Sequence, residues 1–258
     1  MKIKRRKKLL AGALIMFLCV GVGKIIFRAP FVERDCQMTG KDCRVYYLLN
    51  LDGMKGLGHS ALLMVDEEGK GRVFSYNGMQ YDLFRCLTGK EGIGKMMEYA
   101  LTSREVDTLL ETGNLTAGDY EECDNFDRAL YRCLSREQYE RIVKEAEFYQ
   151  EVGDTYERLY AACDGAKDRM RTQAGEDMEA FLQKELPRYQ IYTHNCDTVA
   201  RELLALADEE IRAYNASDTR LTPGGNYYAM CSRLSGIWGI ARLGRDSQAE
   251  KLLSFFIR

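Results

Sequence analysis

Six of residues 2–8 are Lys or Arg, and the fifteen residues Leu9–Gly23 that follow carry no charge. This feature constrains the chain more than any other, because six cations set against one end of an apolar helix have no place in a globular core. The layout is that of a start-transfer segment. With Lys24 snorkelling to the interface it extends to Phe27, about nineteen residues, near the lower limit for crossing a bilayer. A cleaved signal and a retained anchor share this layout. Gly21-Val22-Gly23 is a poor small-x-small cleavage site, which favours retention, and Leu18 before Cys19 does not fit a lipoprotein motif. The cations should stay in the cytoplasm, which predicts a single-pass protein of the cell membrane with its C-terminal domain outside.

The whole-chain charge of −2 hides an asymmetry: the first thirty residues hold eight of the 37 basic residues and none of the 39 acidic ones. What remains is acidic, with no basic stripe and no interleaving of Arg or Lys with aromatics, so nucleic acid is not an expected partner. Roughly 230 residues rich in Leu, Tyr, Phe and Met suffice for one good-sized core. Three prolines leave no Pro-rich linker to mark a second domain. The expected division is a basic stub and anchor at 1–28, a juxtamembrane linker at 29–43, and one domain at 44–258 with a charged helical insertion at about 154–187.

Nine cysteines are many for a chain in a compartment where thiols pair. Outside the apolar segment, and with Cys196 set aside, seven remain: Cys36, Cys43, Cys86, Cys123, Cys133, Cys163 and Cys231. An odd number cannot all pair internally. Cys36 and Cys43 flank Met38-Thr39-Gly40 and form a plausible short disulfide loop, although spacing does not fix connectivity. With no C-x-x-C pair and two histidines, a Cys/His zinc site is not expected, and no metal or other cofactor is called for.

Arg44–Asn50 reads as a strand and is followed by a turn through Gly53, Gly56 and Gly58. Ser60–Val65 and Arg72–Tyr76 read as two more, joined by the charged hairpin loop 66–71. Farther on, Ser135-Arg-Glu-Gln138 is a capping box, with Tyr139, Ile142, Val143, Ala146 and Tyr149 as the apolar stripe behind it. Residues 154–187 carry both charge signs and should form exposed helices ending at Pro187. A further helix should start near Asn195, with Val199, Leu203 and Leu206 on one face. Strands early and helices late, without regular alternation, predict an α+β fold.

Two segments carry candidate chemistry. If Asn195 caps its helix, Cys196 occupies the first turn, where free amides and the helix dipole favour a thiolate. His59, at the start of a core strand, is the candidate base that would take the thiol proton and later protonate a leaving amine. The hairpin register sets His59 opposite Asn77 or Ser75. Asn77 is the better orienting group, because its amide oxygen can accept the imidazole N–H, while a plain turn role before Gly78 stays open. The Cys196 amide and the Tyr192 hydroxyl are candidate oxyanion donors, with Ser75 as a further substrate-side hydroxyl. His194 should point elsewhere.

The series Gly58-His59-Ser60-Ala-Leu, a hairpin, Val73-Phe-Ser-Tyr-Asn-Gly78 and a distant Asn195-Cys196-Asp-Thr resembles the circularly permuted, NlpC-like branch of the papain fold. More narrowly, it resembles bacterial Lnb-type N-terminal periplasmic domains, over roughly residues 44–230. The resemblance implies a thiol hydrolase or acyltransferase acting on amide or ester bonds, with Cys196 as nucleophile and His59 as base. Asp197 departs from the Thr or Glu expected after the cysteine, and residues 154–187 are longer than the usual connection. Three functions follow: a tethered cysteine hydrolase of envelope peptides, a non-catalytic binding or scaffold module of the same fold, or a lipid acyltransferase. The last would need an apolar tunnel, which Ile237–Ile240 and Phe255–Ile257 would line if they did not simply complete the core. Gly89–Lys95 imitates a phosphate-binding loop, but Met96 stands where a Ser or Thr must reach Mg²⁺, so no nucleotide is expected. Asn114-Leu-Thr116 and Asn215-Ala-Ser217 are formal glycosylation sequons, too short a pattern to carry weight.

Overall fold

The run Cys-Arg-Val-Tyr-Tyr-Leu-Leu-Asn at Cys43–Asn50 forms strand β1, and every residue except Arg44 is buried. Val45, Tyr47 and Leu49 point to one face of the sheet and Tyr46 and Leu48 to the other, by the two-residue period of a strand. Both faces are covered, which is why the strand is apolar almost throughout rather than alternating. The computed structural model describes residues 33–36, 43–53, 58–78, 92–115, 125–164, 173–182, 188–217, 219–220 and 222–244. The basic and apolar N-terminal segment, Cys86, Cys123 and Phe255–Ile257 lie outside the described residues. Among the described residues, no helix is long and apolar enough to cross a membrane.

Strands β2 (His59–Val65), β3 (Gly71–Gly78), β4 (Gly92–Leu101), β5 (Arg128–Leu134), β6 (Arg188–Tyr189) and β7 (Gly239–Arg242) complete an antiparallel sheet in the order β6-β4-β3-β2-β1-β5-β7. The β2–β3 hairpin turns at Asp66–Lys70, where Asp66 Oδ1 accepts the amides of Glu68 and Lys70 and Gly69 supplies a φ of 81°. Gly92–Lys95, the stretch that imitates a phosphate loop, begins β4 and pairs with Asn77 and Gly78. Gly94 has no side chain because the Tyr76 ring fills the space: a Cβ there would lie 1.8 Å from the tyrosine oxygen.

Among the described residues, helices pack on both faces of the sheet. One face holds α1 (Ser103–Thr112), capped by Thr102 and Glu105 in a reciprocal box and ended by Gly113 in the left-handed region. Its Val106 and Leu109 pack on Ala61, Leu63, Val65 and Val73. The other face holds α2 (Arg136–Asp164), α4 (Cys196–Ala205), α5 (Glu209–Ser217) and α6 (Pro223–Arg233), which bury Ile142, Ala146, Val199, Leu203, Ile211, Tyr227 and Met230 against Tyr47, Leu62, Met64, Phe74 and Tyr76. The capping box forms as expected: Ser135 and Gln138 exchange amide-to-side-chain bonds of 2.9 and 3.2 Å.

The insertion expected to begin at 154 has no boundary there, because α2 runs unbroken from Arg136 to Asp164. Gly153 does not end the helix. It lets the helix lie against β4, since a Cβ at Gly153 would be 2.7–3.1 Å from Lys95. Lys95 Nζ then pairs with Asp154 at 2.8 Å and Glu157 at 2.5 Å. Helix α3 (Gln173–Leu182) is held to α2 by Phe181, whose ring centroid lies 6.4 Å from that of Tyr156.

Candidate functional site

Asn195 has extended backbone angles, and its Oδ1 accepts the amides of Asp197 and Thr198 at 3.0 and 3.1 Å, so α4 starts at Cys196 as its N-cap chemistry requires. The Cys196 side chain points into the sheet and is 2% exposed. The amide and hydroxyl of Ser60 lie against its sulfur.

Ser60 shares a strand face with Leu62 and Met64, the face that α4 covers, whereas His59 alternates to the face of Ala61 and Leu63, toward α1. The imidazole makes its hydrogen bond with Ser75, Nε2 to Oγ 2.8 Å, and not with the Cys196 thiol. The dyad expected from the sequence is therefore not assembled. His59 and the Ser60 that meets Cys196 are neighbours on β2 but face opposite sides of the sheet.

The protonation states agree with this separation. Burial pushes the Cys196 thiol up to about 12; the adjacent Asp197 charge adds to that rise and the Ser60 and Asp197 amides oppose it. The depressed thiol expected at a helix N-terminus is corrected accordingly: desolvation of a fully enclosed sulfur outweighs the helix dipole. Burial pushes the His59 imidazole down to about 4. At neutral pH both groups are uncharged.

Asn77 does not accept from the imidazole. Its Nδ2 donates to Ser75 Oγ at 3.1 Å and to the Ser75 carbonyl at 3.3 Å. The pairing from Val65–Gly71 to Leu62–Phe74, carried forward, would set His59 level with Asn77, but the imidazole reaches diagonally to Ser75 instead. Ser75 Oγ thus accepts from Asn77 and also meets His59 Nε2, with donor and acceptor in that second contact set by the imidazole tautomer. A serine nucleophile needs a basic nitrogen beside its hydroxyl, and burial has lowered this imidazole to about 4. Here Ser75 is 2% and His59 1% exposed, so in this state the pair is closed to a substrate carbonyl.

Tyr192, by contrast, is 48% exposed on the turn closed by Gln190 and His194. The His194 ring packs edge-on to Tyr76 at 5.8 Å and stacks on Tyr149 at 6.5 Å, with Nδ1 3.8 Å from Glu202.

What the α4 start does assemble is a buried polar cluster around Asp197. The Tyr47 hydroxyl donates to Oδ1; Oδ2 accepts from Arg201 Nε and Nη2 at 3.1 and 3.0 Å and from Asn226 Nδ2 at 2.6 Å. Arg201 also donates to Asn215, and Tyr214 donates to Asn226. These bonds tie β1, α4, α5 and α6 together at the end of the sheet where Cys196 enters. The Asp197–Arg201 spacing of four residues is a pair that helix geometry makes adjacent; Tyr47 and Asn226 come from too far along the chain for any local pattern to include them.

Asn77 also lines a cavity of about 400 Å³ between β3, β4 and α2, together with Gly78, Lys95, Met97, Tyr156, Glu157 and Tyr160. The rings of Tyr156 and Tyr160 stack at 5.9 Å on its wall. Among the described residues no cluster of His, Cys, Asp or Glu is arranged to hold a metal ion. Comparison with known proteins returned no matching family model, no matching curated protein and no matching solved structure.

Proposed function

We propose that this chain is a membrane-tethered, extracytoplasmic binding or scaffold module that keeps the permuted papain-like arrangement of a cysteine helix on a histidine strand without using it for turnover. The observation that carries this reading is the placement of His59 and Cys196 on opposite faces of β2, each buried and uncharged. The basic and apolar N-terminus supports the tether.

The binding surface is the cavity beside Asn77. Lys95 is already paired with Asp154 and Glu157, so the pocket does not select anions; its stacked tyrosines suit an uncharged stretch of envelope peptide. Full-length protein in detergent should bind soluble peptide fragments released from the cell envelope, followed by calorimetry. Tyr160→Ala should weaken binding about tenfold, roughly 1.4 kcal/mol, and Cys196→Ser should leave it unchanged. No saturable binding in the wild type would remove the assignment of this cavity.

The cysteine hydrolase is the second reading. It is favoured by one observation, the seating of Cys196 at an Asn195-capped helix start against Ser60, one residue from His59. Peptide cleavage by the wild type that disappears in Cys196→Ser would establish it over the binding module.

A further inference from the structure

Cys36 and Cys133 lie far apart in sequence and together in space. Arg34 and Ile240 exchange backbone hydrogen bonds of 3.0 and 2.7 Å, which lays residues 33–36 along β7. β7 in turn pairs with β5 through Gly239 and Tyr131. Gly239 opens the way across: a Cβ there would sit 2.8 Å from the Cys36 nitrogen and 2.3 Å from the Tyr131 ring. Tyr131 bonds the Cys36 backbone, and its hydroxyl also donates to Asp35 at 3.4 Å, fixing the segment over the strand. Cys133 follows Tyr131 by two residues on the same face, and the two thiols are within hydrogen-bond contact. Both are buried, at 6% and 8% exposure. Cys43, the partner expected from loop spacing, is on the other face: it pairs with Leu134 in β5 and packs in the helix-covered cluster, while Cys133 pairs with Arg44.

We propose that Cys36 and Cys133 form a disulfide that fastens the segment following the apolar N-terminus to strand β5. The oxidant is a disulfide-bearing one, either an oxidoreductase or a small-molecule disulfide of the compartment. One cysteine loses its proton and attacks the oxidant's disulfide, releasing one oxidant thiol. The second cysteine then attacks the mixed disulfide and releases the other. Two protein thiols give up two protons and two electrons, and the oxidant's disulfide becomes two thiols. Closure in the cell rests on the extracytoplasmic reading, since a reducing cytoplasm would keep the pair open. Burial and the neighbouring Cys133 raise the Cys36 thiol to about 11, so exchange should be slow without a catalyst.

The test uses full-length protein purified reduced in detergent, exposed to oxidised glutathione, blocked with a maleimide and digested with trypsin, which cuts after Lys41 and so separates Cys36 from Cys43. The expected product is a peptide containing Cys36 linked to one containing Cys133. The closed loop of roughly 100 residues should raise the thermal midpoint by about 5–10 °C, a rise absent in Cys36→Ser and in Cys133→Ser. Linkage of Cys36 to Cys43, or alkylation of both thiols after oxidation, would overturn the pairing. The same map made from cells blocked before lysis separates the two claims. A pair that closes in vitro but is found reduced in cells keeps the geometry and overturns the extracytoplasmic placement.

Discussion

Asp197→Ala is expected to destabilise the protein by about 3–5 kcal/mol, because it strands a buried guanidinium. Asp197 and Arg201 have side chains 2% and 3% exposed, and Arg201 would keep its bond to Asn215 and its place over the Tyr214 ring but no anion. Tyr47 and Asn226 would also lose their acceptor on Asp197. With typical domain stabilities of roughly 5–15 kcal/mol, such a loss removes a large share of the total. Denaturant unfolding of wild type and variant measures it. Adding Arg201→Met to Asp197→Ala should restore part of the loss, since the unpaired charge is then gone, and this coupling separates the ion pair from simple cavity formation. A cost below about 1 kcal/mol for Asp197→Ala would mean that water reaches the cluster and that it does not hold the end of the sheet together.

The second large effect is a loss of stability on acidification that comes from His59. The imidazole is held at about 4 by burial, against an ordinary 6.5, so between those values the folded state binds fewer protons than the unfolded one. Its contribution is fully present above pH 6.5 and is lost as pH falls to 4, about 3 kcal/mol across the window. Stability measured at pH 7, 6, 5 and 4 in wild type and His59→Gln should show the advantage of the wild type shrinking by about that amount. His194 is also lowered by burial, but it is common to both proteins and cancels in the difference. Parallel curves would mean that His59 is solvated or partnered in the folded state, as an active-site base would be.

The parts of this fold that could be read in the sequence are those whose cause is local. The first three strands are largely apolar, with an Asp-Glu-Glu-Gly turn between the second and third, and the Ser135 and Asn195 helix starts carry their own capping side chains. Thr102-Ser-Arg-Glu105 is a capping box of the same form, but the helix behind it is hard to read because so few apolar residues follow. β4 was hidden by Gly92 and Gly94, which resemble a phosphate loop until the Tyr76 ring that requires Gly94 is in view. β7 has four residues and gains its meaning only from pairing with β5, more than a hundred positions away.

For the site, residue types and order were legible and facing was not. His59 and Ser60 are adjacent, and a strand turns adjacent side chains to opposite faces, so which of them meets Cys196 depends on how α4 docks. That docking is set by Tyr47 and Asn226 closing on Asp197, contacts between residues with no local relation. The same holds for Cys36, whose nearest cysteine in sequence is Cys43 but whose neighbour in space is Cys133.

The pH dependence of Cys196 alkylation decides whether the thiol and the His59 imidazole act as a pair. Trypsin isolates this thiol in the peptide from Tyr189 to Arg201, where it is the single cysteine, so its modification in native full-length protein can be followed by mass spectrometry at each pH. The structure requires slow alkylation at neutral pH, a rate still rising above pH 9 because the thiol is held near 12, and the same profile in His59→Ala. A rate that reaches its plateau below about pH 7, and that falls when His59 is replaced, would mean an activated thiolate–imidazolium pair, contradict the separation across β2, and leave the cysteine hydrolase as the function.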